Sequence, residues 1–469
     1  MKKAQLCIGL LSWLLSTAPV LAQGVAAAET GPHFASGIKV GEVRQDSAIV
    51  WVRTTKHPLA DFSRLAIFTE GLKGGVKDAG QMPIDVVPGQ AAEVRVRYWP
   101  AATPEQSKQT AWAATSAAAN FVHQFQLNDL QSACQYRWQA ETRRPGGTEV
   151  SATMDGGFQT APRPDQQTPV RFIVTTCQAV RSIDSGADGH QAYANMLKLQ
   201  PSFFVHTGDI VYYDKAPLCR NRAQAEAKWD LMFSYGHNQK FHRWVGSYFM
   251  KDDHDTLKND CWPGQKYGDL SFEEGLQIFR QQVPMGDRTY RTFRWGKDVQ
   301  IWLTENRDFR SPNKMADGPD KTILGAEQLA WLKQGIASST ATYKFVITPG
   351  PIVGPDKRGK ADNHSNAAFA HEGAELRSFL SEQKNTYVIC GDRHWQYCSK
   401  DPQTGLLELG CGPINDEHRY GGNPGHNPDF HSYFNGGGGF LSISVTDGIA
   451  TARWHPADGS EPRHKLQLK

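Results

Sequence analysis

A change of hydrophobic rhythm near residue 165 constrains this chain most. From Gly37 to about Pro162, short β-type runs alternate with turn residues: Ser47 to Arg53, Leu65 to Phe68, Ala92 to Tyr98 and Tyr136 to Ala140. Period-two runs without helical stretches predict an all-β sandwich. Gly157-Phe-Gln-Thr-Ala-Pro162 reads as its last strand and Arg163-Pro-Asp-Gln-Gln-Thr-Pro169 as a proline-bearing linker. Beyond Pro169, strands are separated by helical stretches, beginning with Val170-Arg-Phe-Ile-Val-Thr-Thr176 and a helix over Gln191 to Leu199. That alternation predicts an α/β unit. Its further strands are expected over Ser202 to Val205, Ser247 to Met250, Val299 to Leu303, Lys344 to Ile347 and Tyr387 to Cys390, and its helices over Phe272 to Gln282, Ala326 to Ile336 and Glu372 to Gln383. A terminal hairpin turns at Asp447-Gly448. The expected organisation is a β-sandwich over residues 30–165 and an α/β domain over residues 166–469.

The chain opens with Met1-Lys2-Lys3, an apolar run from Leu6 to Leu15 and small residues ahead of Ala22. A basic start, an apolar run too short to span a bilayer and a small-x-small site make residues 1–22 a signal peptide, cleaved after Ala22. Export to the periplasm or the extracellular space is expected. No Cys stands directly after the cut, which argues against a lipid anchor, and no paired arginines precede the apolar run, so the unfolded export route fits. No later stretch reads as a transmembrane span.

The formal net charge is +3, of which Lys2 and Lys3 carry two. Such a balance leaves no footprint for nucleic acid or a membrane surface, so the expected partner is small. Eight cysteines are present, Cys7 within the leader. The remaining Cys134, Cys177, Cys219, Cys261, Cys390, Cys398 and Cys411 are odd in number. In an oxidising compartment six would pair, in any of fifteen ways, and one would stay free.

Three polar clusters directly follow apolar strands, where α/β proteins carry ligands. Phe203-Phe-Val-His-Thr-Gly-Asp209 is followed by Tyr212; Phe249-Met-Lys-Asp-Asp-His-Asp255 ends in carboxylates and an imidazole; Val388-Ile-Cys-Gly-Asp-Arg-His394 sets Asp392 and His394 two apart. Singly, each is an ordinary turn. Together at strand ends of one domain they point to a shared metal site. Cys177 ends the first strand beside them and is the candidate for the unpaired thiol; the alternative is half a disulfide. Asn435-Gly-Gly-Gly-Gly439 is either a flexible loop or a backbone approach to phosphate. Trp395 is a pocket-wall residue.

These motifs, in this order, resemble the alkaline phosphatase D family over nearly the whole chain. They run from Gly157-Phe-Gln-Thr-Ala-Pro162 through Thr176-Cys177, His206-Thr-Gly-Asp-Ile-Val-Tyr212, Asp252-Asp-His-Asp255, Arg307-Asp-Phe-Arg-Ser-Pro312 and Leu324 to Leu332 to Gly391-Asp-Arg-His394. The resemblance implies an immunoglobulin- or fibronectin-like N-terminal sandwich and a four-layer α/β/β/α metallophosphoesterase domain. It also implies a calcium- and iron-dependent phosphodiesterase and phosphomonoesterase, with phospholipid head groups among its substrates. By the same resemblance Cys177, Asp209 and Tyr212 hold Fe3+, and Asp209 bridges to a Ca2+ side completed by Asp253, Asp392 and His394. Thiolate and phenolate offset a trivalent charge, and carboxylate oxygens suit calcium. Asn259 and Asp252 are extra ligands or supports.

In the mechanism this implies, a hydroxide held between the ions attacks phosphorus in line and His254 protonates the leaving oxygen; the other role for His254 is a metal ligand. Lys251 stands where the family has Trp, Asp255 where it has Glu, and Glu305 where it has Asp. Lys251 is then a phosphate contact or a surface charge, and Arg307 pairs with a carboxylate. Competing readings are a phospholipase D-like enzyme, a purple-acid-type phosphatase and a non-catalytic surface binder. The purple-acid motifs Asp-x-His, Gly-Asn-His and Gly-His-x-His are replaced here, and the binder would need broken ligand clusters.

Overall fold

The protein, as a computed structural model, is described over residues 31–65, 80–357, 359–419 and 423–469. The proposed leader and the strand expected from Leu65 to Phe68, beyond Leu65 itself, lie outside these residues. Two mixed sheets dominate. The nine-stranded sheet runs in the order His464–Leu468, Ile449–His455, Phe440–Thr446, Val170–Thr175, Phe203–His206, Ser247–Phe249, Ile38–Gly41, Ala48–Arg53, Val122–Leu127. The seven-stranded sheet runs Arg291–Trp295, Val299–Leu303, Tyr343–Thr348, Thr386–Cys390, Leu407–Cys411, Gln396–Lys400, His431–Asn435.

The central strands are near-continuous apolar runs because both of their faces are covered. Their alternate residues show how. Phe172, Val174, Phe203 and Val205 share one buried cluster with Phe345, Ile347, Tyr387 and Ile389, so the two sheets meet face to face. Ile173 and Phe204 point the other way, onto the helices Gln191–Lys198 and Gly236–His242. Val346 and Val388 likewise meet Ala326–Ala337 and Ala370–Glu382 on the far side. Phe172 and Phe203 stack at 4.8 Å in the seam, and each buried ring of this kind stabilises the fold by about 2 kcal/mol.

Parallel pairing puts the C-terminal ends of Val170–Thr175, Phe203–His206 and Ser247–Phe249 side by side. In the facing sheet, Tyr343–Thr348 and Thr386–Cys390 run parallel too. The loops after these strands come together in one region.

The N-terminal strands differ from the expected free-standing sandwich. Ala92–Pro100, Gln135–Arg143 and Ala152–Gln159 form a separate small sheet with Lys108–Gln109 and Ala113–Thr115. The strands Ile38–Gly41, Ala48–Arg53 and Val122–Leu127 instead extend the large sheet, Gly41 pairing in parallel with Ser247. Buried Arg53 fastens this junction by its 2.9 Å ion pair with Asp230 in the helix Arg222–Met232.

The expected disulfides are a correction. All seven described cysteines are free. Six are buried, and as small apolar groups they satisfy their S–H locally. Cys219 Sγ meets the Gln224 carbonyl at 3.3 Å, Cys261 that of Asp253 at 3.4 Å and Cys411 that of Cys390 at 3.3 Å. Odd parity therefore does not single out Cys177; its place does. Among the described residues no helix is long and apolar enough to cross a membrane.

Candidate metal centre

Cys177, Asp209 and Asp392 each follow a parallel strand, and all three have left-handed backbones, with φ of 44°, 55° and 56°. Such a conformation costs a non-glycine residue about 1–3 kcal/mol and persists only where the surroundings enforce it. The enforcement is visible. Cys177 N–H donates to the Gly208 carbonyl at 3.2 Å, Gln178 N–H to that of Asp209 at 2.9 Å, and Ile414 N–H to that of Cys177 at 3.2 Å. Gly208 lies so close to the next loop that a Cβ there would sit 2.6 Å from the Asp252 nitrogen. Asp255 ties the same two loops together, accepting from Ile210 N–H at 3.0 Å and Asp252 N–H at 2.7 Å.

The result gathers the sequence candidates. Ligand atoms of Cys177, Asp209 and His394 lie within 4.8 Å of one another, as do those of Asp209, Asp253 and His254, and those of Asp209, Asp252 and Asp392. Asp209 belongs to all three sets. Tyr212 joins them, its hydroxyl donating to Asp209 Oδ2 at 3.0 Å. His394 thus falls beside Cys177 and Asp209. Its Nδ1–H donates to the His418 carbonyl at 2.8 Å, which leaves Nε2 as the ligand atom.

This donor set fits cations. Asp209 Oδ1 and Asp252 Oδ2 are buried without a hydrogen-bond partner, and a buried carboxylate oxygen needs a proton, a donor or a metal. Burial, then the charges of Asp253, Asp252 and Asp255, push the Asp209 carboxyl well above the usual carboxylate range. Burial and the Asp209 charge do the same to the Cys177 thiol and the Tyr212 phenol. Positive charge placed among them relieves all three. Burial holds His394 down to about 3, so its ring is neutral, as a ligand must be.

Around this set lies a framework of buried charge. Arg307, 1% exposed, donates to Asp252 and lies 3.8 Å from Asp253 and 3.5 Å from Asp362. Lys251 corrects both of its sequence readings. It neither faces solvent nor reaches the cleft, because its ammonium is enclosed by Glu305 at 2.9 Å and Asp308 at 2.6 Å. Asn259 serves through its backbone, donating to Asp214 Oδ2 at 3.0 Å.

Two residues escaped the sequence. Asp214 Oδ1 meets His254 Nδ1 at 2.5 Å; its only signal was its place two residues after Tyr212. His418 Nε2 meets the Tyr212 hydroxyl at 2.9 Å and lies in the loop after Leu407–Cys411, a strand the sequence pattern did not single out, so nothing marked it. Burial alone would lower the His254 pKa, but Asp253 and Asp214 outweigh it and raise the value. A cleft of about 540 Å³ opens over the cluster, walled by Trp395 and rimmed by Arg181, Lys215, Lys357 and Lys360.

A buried thiol, phenol, imidazole and carboxylate set lies beneath a cation-rimmed cleft, at the strand ends of two facing sheets, and makes a candidate metal centre. The chain belongs to the PhoD-like phosphatase family: the family's sequence model matches residues 172–433, and that of the PhoD-like phosphatase N-terminal domain matches residues 19–162. It is a phosphoric ester hydrolase. The chain is 24% identical over 457 residues to alkaline phosphatase D of Bacillus subtilis (strain 168), covering 82% of this chain and 70% of that protein. A solved structure of PhoD matches with a TM-score of 0.70 at 16% identity, over 93% of this chain and 89% of that one. Purple acid phosphatase PPD1 from yellow lupin (Lupinus luteus) seeds shares the fold, with a TM-score of 0.59 at 12% identity over 92% and 73% of the two chains.

Proposed function

We propose that the chain hydrolyses phosphodiesters and phosphomonoesters, phospholipid head groups among them, with metal ions that Asp209 and the residues around it would hold. The observation that carries this is the membership of Asp209 in three overlapping ligand sets. Cys177, Asp209 and Tyr212, with His394 beside them, would hold Fe3+; Asp209, Asp253 and Asp392, with Asp252 behind them, would hold Ca2+. When bound, the ions supply Lewis acidity toward water and toward the phosphoryl oxygens.

The chain's own groups do the rest. Asp214 fixes His254 Nδ1 and so leaves Nε2 to protonate the departing alkoxide. Lys228 Nζ donates to the carbonyls of Tyr212 at 2.6 Å and Lys215 at 2.8 Å, holding the turn that presents both side chains. Arg181 and Lys215 at the rim attract the anionic substrate. The division at residue 165 is supported by the separate ranges of the two family matches. Export after cleavage at Ala22 is supported by the basic and apolar opening of the sequence.

The test is hydrolysis of an aryl phosphate diester and the matching monoester at mildly alkaline pH, before and after chelation. Activity should vanish with the metal and return with calcium. Turnover that survives complete chelation, or none on either ester with metal supplied, would overturn the reading. His254→Ala should lower kcat by roughly 10²–10⁴ for alkyl esters and much less for an aryl ester, whose leaving group needs no proton. Equal losses on both would remove the general-acid role.

A further inference from the structure

The glycine tract near the C-terminus has a purpose that neither phosphate binding nor flexibility describes. Gly438 lies against the carbonyl of Asn415, where a Cβ would sit only 2.0 Å from that oxygen. Its N–H donates to Asp416 Oδ1 at 2.7 Å, and that of Gly439 to the Pro413 carbonyl at 2.7 Å. On the other side, Asn415 Nδ2 donates to the Ser182 carbonyl at 2.6 Å and to Asp184 Oδ2 at 2.9 Å. The loop 413–418 is held between two walls.

That loop delivers His418 to the site. Its carbonyl takes the Nδ1–H of His394 at 2.8 Å, while its own Nε2 meets the Tyr212 hydroxyl at 2.9 Å. The His418 ring lies 4.7 Å from that of His394 and 5.2 Å from that of Tyr212. The tautomer follows from proton counting. Tyr212 has one proton and directs it to Asp209 Oδ2, so the bond with His418 requires an Nε2–H donor. When Tyr212 is ionised as a ligand, the same N–H points at the phenolate oxygen.

We propose that His418 is a positioning residue that clamps two ligands at once, orienting His394 through its carbonyl and hydrogen-bonding the Tyr212 phenolate through Nε2–H. The inference rests on the iron assignment given above. A hydrogen bond to a phenolate withdraws electron density from the oxygen that binds the ion and fixes its direction. Groups in this outer layer change activity or metal affinity by roughly 10–100-fold when removed.

The experiment uses the full iron-loaded protein and its visible spectrum. The wild type should show a phenolate-to-ferric absorption band that Tyr212→Phe abolishes. His418→Ala should move that band to longer wavelength, since the phenolate oxygen becomes a better electron donor without its hydrogen bond, and should lower kcat roughly 10-fold with KM little changed. His418→Gln, which keeps an N–H donor, should move the band back toward the wild-type position. A band present in wild type and unmoved in His418→Ala overturns the clamp while leaving the iron assignment intact. A band absent from the iron-loaded wild type, or one that survives Tyr212→Phe, removes the iron–phenolate assignment and the clamp with it.

Discussion

Replacing Asp209 with Asn should lower kcat/KM on an aryl phosphate by about a thousandfold, because a Lewis-acid centre contributes several kcal/mol and each 1.36 kcal/mol is tenfold. The substitution is clean. Asn tolerates a left-handed backbone as well as Asp does, so the turn at φ 55° is kept. What is lost is the charge shared by three ligand sets and one of its two oxygens. In the chelated protein the same variant should melt higher than the wild type, because it removes one of several buried carboxylates that repel one another. Steady-state kinetics and thermal melts with and without chelator measure both effects, and metal content fixes the occupancy at which they are compared. A variant within tenfold of wild type at full metal occupancy would show that Asp209 does not hold the ions.

Arg307→Ala should cost about 3–5 kcal/mol of stability, the usual penalty for removing one partner of a buried ion pair. Arg307 faces Asp252, Asp253 and Asp362 from a position almost closed to water. Losing the guanidinium leaves three carboxylates with Lys360 paired at 3.2 Å to only one of them, Asp362. Urea unfolding gives the number, and Arg307→Lys, which keeps the charge without the planar fork, should fall between wild type and Ala. A loss below about 1 kcal/mol, within the range of a surface pair, would mean that Arg307 does not organise these acids.

The strands that carry the site were legible because burial on both faces leaves an apolar run followed at once by polar residues. Val170–Thr175, Phe203–His206 and Thr386–Cys390 all have this form. The helix Phe272–Gln282 was legible too, opened by a reciprocal cap between Ser271 and Glu274. The helix Arg222–Met232 was not. It buries Lys228 and Asp230 among its apolar residues, because these charges have partners from distant loops and strands. Within the site the same division holds. Asp209, Asp253 and Asp392 were legible from their place at strand ends. Lys251 was misread because its partners Glu305 and Asp308 arrive from another strand's end. His418 was invisible because its role is created by what the glycine tract and Asn415 do to its loop. Cysteine counting misled, since burial in the core satisfies these thiols without pairing.

The parallel register between Gly41 and Ser247 has a consequence for how the molecule is made. The ribosome releases Ile38–Gly41 and Ala48–Arg53 as an early hairpin, yet the strand that must flank it is synthesised about two hundred residues later, the kind of distant closure that slows folding. Throughout that interval the hairpin offers an unpaired edge, a template for joining other chains. A nascent chain stalled or clipped before Ser247 is therefore a seed for aggregation. Expression of the two halves, cut at the linker near residue 165, should yield two sticky fragments, each bearing one side of a torn seam.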